Sequence, residues 1–246
     1  MSPLPQKAQI LLTAKLNSVL HGYLPAILEG LVSTLAVAAA SLAIACVFGL
    51  AGAVAKLSKS RLARAAAEVY TTLIRGLPEL VLMLFVFYGG QILINAIAES
   101  RGWGYVDVPP FAAGVLTIGF IYGAYLTETF RGAILAVPKG QIEAGQAFGL
   151  TRSQVLRRIV LPQMVRHAIP GFANNWLVMV KATALVSIIG LDDMMHRANL
   201  AASATREPFT FYATVALLYL AITTASILVL SQIEKRFSLG VKEVHF

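Results

Sequence analysis

The sequence predicts an all-α membrane protein with five transmembrane helices, and three observations lead there. Only 13% of its 246 residues are charged while 57% are hydrophobic, with a mean hydropathy of +0.73; soluble domains carry about 25% charged residues. Five uncharged or nearly uncharged runs follow one another, each near or above the roughly 20 residues needed to cross a bilayer core. Basic residues gather in alternate loops, so the formal charge of +8 follows membrane orientation and calls for no nucleic-acid partner. A single such run would suit a buried core helix, but five in so short a chain leave too little polar surface for a soluble fold.

Residues 1–25 are mixed in character and predict a periplasmic or interfacial segment. With Pro3, Pro5, Lys7 and Lys15 in it, no cleaved leader is expected. The first span lies near 30–55, where Gly49 and Gly52 suit close helix packing and the lone Cys46 is a small buried hydrophobe. Residues 56–65 hold Lys56, Lys59, Arg61 and Arg64 with no acid, which places this loop on the cytoplasmic side. A modestly amphipathic stretch and the run Arg75-Gly76-Leu77-Pro78-Glu79 lead to a second span near 80–98. The loop from Glu99 to Asp107 lacks a basic excess and belongs outside. The third span lies near 108–127, and residues 131–167 then set six basic side chains against the single acid Glu143. Spans near 170–191 and 208–233 complete the set, with the N-terminus outside and the C-terminus inside.

Catalysis finds little support. His21, His167, His196 and His245 are scattered without metal-ligand spacing, and no phosphate-binding G-x-x-x-x-G-K-[ST] loop is present. The chain is therefore expected to be no enzyme and to bind no cofactor or metal of its own.

The polar segment 141–162, QIEAGQAFGLTRSQVLRRIVLP, stands between the third and fourth spans. It reads as two short helices separated near Gly149, Glu143 opening the first and Pro162 closing the second. Glu143 suits a helix start, Ala144 and Gly145 permit close approach, and Gly149 permits a sharp exit. The anchors Glu143-Ala144-Gly145, Gly149, Ile159, Leu161 and Pro162 resemble the EAA loop of permease subunits of ATP-binding-cassette importers. Gly145 departs from the family's alanine and lowers helix propensity by about 1 kcal/mol.

The resemblance continues through Arg75–Glu79, the run Gly123–Gly140, PGFANNW from Pro170, KATALVSIIGL from Lys181 and EKRFSLGVK near Glu234. These look like the polar amino acid branch, closest to Q-type subunits of histidine/lysine/arginine/ornithine importers. The resemblance implies a type I importer permease domain over 26–240 in a bacterial inner membrane and docking of ATPases on the seven anchors. It also implies a second permease subunit, paralogue or copy, two ATPase subunits that carry ATP and Mg²⁺, and a periplasmic solute-binding protein.

Ionisable and polar groups near or within the spans are the pathway candidates. Lys181 lies about 16 Å beyond Pro170 along a helix. A charge at mid-bilayer costs at least roughly 2.5–3.5 kcal/mol, so an interior partner is expected, whether as a structural ion pair or along the pathway. Glu128 shares a helix face with Arg131, which leaves pairing and a pathway role both open. Glu79 follows a proline break where backbone groups can face a cavity. Asn174, Asn175, Thr183 and Ser187 are candidate hydrogen-bonders, although packing polarity is the commoner use of such residues. An ion-gradient transporter with Lys181 as its coupling site, or a membrane scaffold that binds a protein through 141–162, are the alternative functions.

Overall fold

A computed structural model describes residues 17–238, and every regular element among them is helical. The helices are α1 (Leu24–Leu57), α2 (Arg61–Gly76), α3 (Glu79–Ser100), α4 (Pro110–Leu135), α5 (Lys139–Ala147), a composite α6 (Arg152–Ile189), α7 (Met194–Thr205) and α8 (Pro208–Ser238). Five of them, α1, α3, α4, α6 and α8, are long and apolar enough to cross a membrane. They overlap the five predicted spans, and each runs further at one end at least. The fourth differs most: it starts at Arg152 and continues through Pro170. Of the predicted N-terminal segment, residues 1–16 lie outside the described part; Leu20 is fully buried beside Ile27, Met194 and Phe211.

α4 is the core. Two thirds of its most apolar window is buried (67%), against 28% or less for the other four spans. Its principal partner is α1, and the two approach through small residues: a Cβ on Gly49 would lie 2.7 Å from Leu126 Cβ, and one on Gly119 would lie 2.6 Å from Ile44 Cγ2. Ala45, Ala53 and Ala124 are fully buried in the same core. Helices in lipid gain little from mutual hydrophobicity, so dispersion across such a close seam is what holds them. Ser41 adds one cross-helix bond, its hydroxyl donating to the Val115 carbonyl at 3.3 Å. By contrast α3 and α8 leave most of their apolar surface uncovered within the chain; Phe85 is 75% exposed and Leu217 65%.

α2 turns back along α1 and α4. Ser60 caps it by accepting from Ala63 N–H, its inner face buries Ala67, Thr71 and Ile74, and Tyr70 donates to the Phe120 carbonyl. Its outer face leaves Leu62, Val69 and Leu73 exposed. At sixteen residues it reaches about 24 Å, too short to cross alone.

Lys56, which the sequence places among loop charges, is instead in the last turn of α1 with its side chain 4% exposed. Its ammonium meets Glu68 of α2 at 2.7 Å and Glu128 of α4 at 2.5 Å, while Arg131 reaches the other Glu128 oxygen at 2.9 Å. Three helices thus share one charge cluster, and both sides of Glu128 are taken. This pairing lets α4 run past Thr127, where the predicted span stopped.

A second polar join ties α7 to α1, where Met194 N–H donates to Thr34 Oγ1 at 3.3 Å. Asp193 is fully buried; its Oδ1 caps α7 by accepting from His196 N–H at 2.8 Å, and its Oδ2 makes no hydrogen bond among the described residues. Burial pushes this carboxyl up from 3.8 to about 6.

Removing Lys56 leaves Glu128 with Arg131 alone. Lys56→Met should therefore cost about 2–3 kcal/mol in thermal unfolding of the solubilised protein, below the 3–5 of a fully buried broken pair. Adding Glu128→Gln should restore part of that; wild-type stability in the single variant would contradict the cluster's role. For Asp193 the folded-state value lies above the unfolded one, so its stabilising contribution is complete below the unfolded value of 3.8 and is lost as pH rises through about 6. Asp193→Asn, which keeps a cap, should be more stable than wild type at pH 7.5 by about 2–3 kcal/mol, and the gap should narrow as pH falls through about 6 and close only near 3.8. A pH-independent gap would count against it.

Candidate functional site

The segment 141–162 forms a compact two-helix unit with its own small core. α5 ends in a Schellman arrangement: Leu150 N–H donates to the Gly145 carbonyl at 3.0 Å and Gly149 N–H to that of Gln146 at 2.9 Å. Gly149 adopts φ +82°, the left-handed region in which a side chain is strained. Two residues later Thr151 and Gln154 make a reciprocal capping box that starts α6. The corner is therefore fixed on both sides. Val137, Val155 and Val160 are buried beneath it, with Ile142, Leu150 and Ile159 against them.

The seven anchors fall into two groups. Glu143, Ala144, Gly149, Leu161 and Pro162 are exposed. Gly145 is buried and Ile159 half-buried; a Cβ on Gly145 would stand 2.6 Å from Ile159 Cδ1. These two are expected from the sequence to dock a partner, but they pack on each other and shape the unit from within. The obstacle to a Cβ is the tip of a flexible side chain, so an alanine here would need only a small shift of Ile159.

Two further expectations change. α5 begins at Lys139, before Glu143, and Pro162 does not close the second helix. A π turn over Leu156–Val160 precedes Leu161, and Pro162 falls at the start of the next α-helical stretch. α6 is thus one lever from the corner into the spans, tied to α5 by Gln163 Nε2 donating to Gln141 Oε1 at 2.6 Å. Sequence reasoning missed Phe148, 91% exposed at the last turn of α5 on the same face as Ala144. The signal was an aromatic residue directly before the Schellman glycine in a polar stretch.

The second region is the break between α2 and α3. Leu77 (φ −112°, ψ 150°) and Pro78 (φ −60°, ψ 133°) are extended. Glu79 opens α3 half-buried, and the buried Tyr122 donates to its two oxygens at 3.2 and 3.3 Å. Tyr125 lies next along α4, its ring centroid 5.6 Å from that of Tyr122, and the exposed Arg75 guanidinium sits 5.7 Å over it. Tyr122 lies about 18 Å from either end of α4. The break therefore sits beside the middle of α4.

The remaining candidates do not converge on one point. Asn175 donates to Thr129 Oγ1 at 3.0 Å and fastens α6 to α4. Thr183 is fully buried, its hydroxyl donating to the Val180 carbonyl at 2.6 Å beside the Tyr219 hydroxyl. Ser187 donates to the Ala184 carbonyl at 2.8 Å. Asn174 and Lys181 are exposed on the face of α6 that other helices of this chain leave open, and Lys181 makes no ion pair among the described residues. The interior partner expected for Lys181 is thus not found among the described residues, where its position on α6 turns outward. Glu128 belongs to the Lys56 cluster, as described above.

Comparison with known proteins accounts for this architecture. The permease protein HisQ of the histidine/lysine/arginine/ornithine transport system of Escherichia coli is 53% identical over 224 residues, 91% of this chain and 98% of that one. The octopine permease protein OccQ of Rhizobium meliloti is 45% identical over 78% of this chain and 82% of its own length. A chain from the crystal structure of an amino acid ABC transporter with histidines superposes with a TM-score of 0.74 at 28% identity, covering 96% of this chain and all of that one. A chain of the inward-facing MetNI methionine transporter shares the fold, with a TM-score of 0.64 at 16% identity and coverage of 87% and 95%. Residues 47–239 match the binding-protein-dependent transport system inner membrane component family, and the chain belongs to that family of inner-membrane permeases.

Proposed function

We propose that this chain is the membrane-spanning half of an ATP-driven importer for polar, basic amino acids such as arginine, lysine, histidine and ornithine. The observation that supports it best is the corner at Gly149: a rigid two-helix unit offers Phe148, Ala144 and Glu143 outward and is continuous through α6 with the spans. A partner that moves this knob moves α6 as one body. In this reading two ATPase subunits bearing ATP and Mg²⁺ dock there, this chain hydrolyses no ATP, and a solute-binding protein delivers the substrate at the opposite end. The N-terminus lies outside and the C-terminus inside, as the basic loops demand. A second permease subunit of similar fold covers the open face of α6, bringing Asn174 and Lys181 to the pathway between the subunits.

The relatives described above are ABC permeases or transporters, which leaves the ion-gradient and scaffold readings without support. Nearness to a histidine/lysine/arginine/ornithine permease supports the substrate class. Glu79, held beside the middle of α4 by the Tyr122 hydroxyl, supplies a carboxylate for a cationic substrate group. Asn174 and Lys181 add polar groups from α6, whereas Asn175, Thr183 and Ser187 act in packing.

Purified permease and ATPase subunits in proteoliposomes should take up radiolabelled arginine only with ATP and the binding protein. Uptake driven by an ion gradient with the permease alone would refute the proposal. Phe148→Ala and Glu143→Lys should each reduce ATPase co-purification at least tenfold without changing membrane insertion; a bulky residue at Gly149 should do the same by breaking the corner. Gly145→Ala should leave assembly intact. Normal co-purification of the Phe148, Glu143 and Gly149 variants would remove this segment as the docking element.

A further inference from the structure

The sequence places Arg75 and Glu79 four residues apart. On one continuous helix they would be neighbours, and pairing would relieve the cost of two charges at membrane depth. The structure breaks the helix between them at Leu77 and Pro78, and no ion pair forms. Instead each charge rests on a neutral tyrosine: Glu79 on the Tyr122 hydroxyl and Arg75 over the Tyr125 ring. A basic residue in the last turn of α2 and an acidic one in the first turn of α3 each suit their own helix end. That local benefit explains where each sits, and it would be equally available to a pair that closed. It leaves unexplained a cation and an anion held apart beside the middle of α4, the guanidinium exposed and the carboxylate half-buried.

We propose that this separated pair binds the backbone of a free amino acid, Arg75 receiving the α-carboxylate and Glu79 the α-ammonium, with Tyr122 and Tyr125 as the platform beneath. The inference rests on the importer reading above and sharpens it. A guanidinium fork matches a carboxylate bidentately, which a lysine ammonium does not. The same site would accept zwitterions with different side chains, leaving side-chain selection to groups elsewhere. Lys181 is then not the carboxylate receptor.

The test uses the purified permease–ATPase complex without the binding protein, in competition binding with radiolabelled L-arginine. L-arginine should compete at least tenfold better than agmatine, the same side-chain cation without a carboxylate. Arg75→Gln should erase that preference by weakening L-arginine while leaving agmatine unchanged. Arg75→Lys should keep part of the preference, and Lys181→Gln should keep all of it. With the binding protein restored, Arg75→Gln should lower the maximal uptake rate at least tenfold with little change in KM. A general loss of structure would weaken both ligands together and would not be reversed in Arg75→Lys. Failure of the wild-type complex to bind or import any amino acid would overturn the importer reading. A wild-type complex that imports arginine but binds agmatine equally well, or whose preference survives Arg75→Gln, would overturn this assignment alone.

Discussion

The close approach of α1 and α4 is the constraint on which the rest of the molecule depends. In lipid, two apolar helices gain little by leaving the hydrocarbon for each other, so their union needs backbones near enough for dense contact. Gly49 and Gly119 provide that nearness, each at a point where a methyl group would overlap the other helix. Once the seam is closed, Lys56 at the end of α1 has only one way to avoid burial as a bare charge. It meets Glu128 across the seam and Glu68 on the returning α2. The ion cluster is thus a consequence of close packing, and it in turn fixes where α2 lies.

From there the position of the α2–α3 break follows. Tyr70 anchors α2 to the carbonyl of Phe120, the next turn and a half brings Arg75 over Tyr125, and just beyond the break Glu79 meets Tyr122. The core helix thus presents the same short stretch, residues 120–125, to the packing helix and to the charged break. A transporter needs polar groups at mid-depth without unsatisfied backbone, and a short interruption lined by protein meets that need.

The corner at Gly149 solves a different problem. A segment that transmits force must not bend where it is pushed, and this one is stiffened by a Schellman motif before the corner, a capping box after it and a small valine core beneath. Gly145 is part of that stiffness. Its missing methyl group leaves room for Ile159, so the departure from alanine that suggests a softer helix is offset by tighter packing of the unit.

The number and order of membrane helices were legible in the sequence alone, because charge is excluded from lipid at several kcal/mol and a long uncharged run has few other uses. The corner at Gly149 was legible as well, since its glycine and the following Thr151 and Gln154 are local signals read over a few residues. Three things were not. Lys56 looked like one more loop charge until Glu68 and Glu128, distant in sequence, were seen beside it. Gly145 and Ile159 shared a motif with exposed residues, and only the folded unit separates those that face outward from those that face each other. Lys181 promised an interior partner, but which face of α6 is covered is decided by α4 and α8. Local chemistry depends on neighbours along the chain and can be read from it; the fate of a charge depends on what stands opposite, and that is settled only when the helices pack.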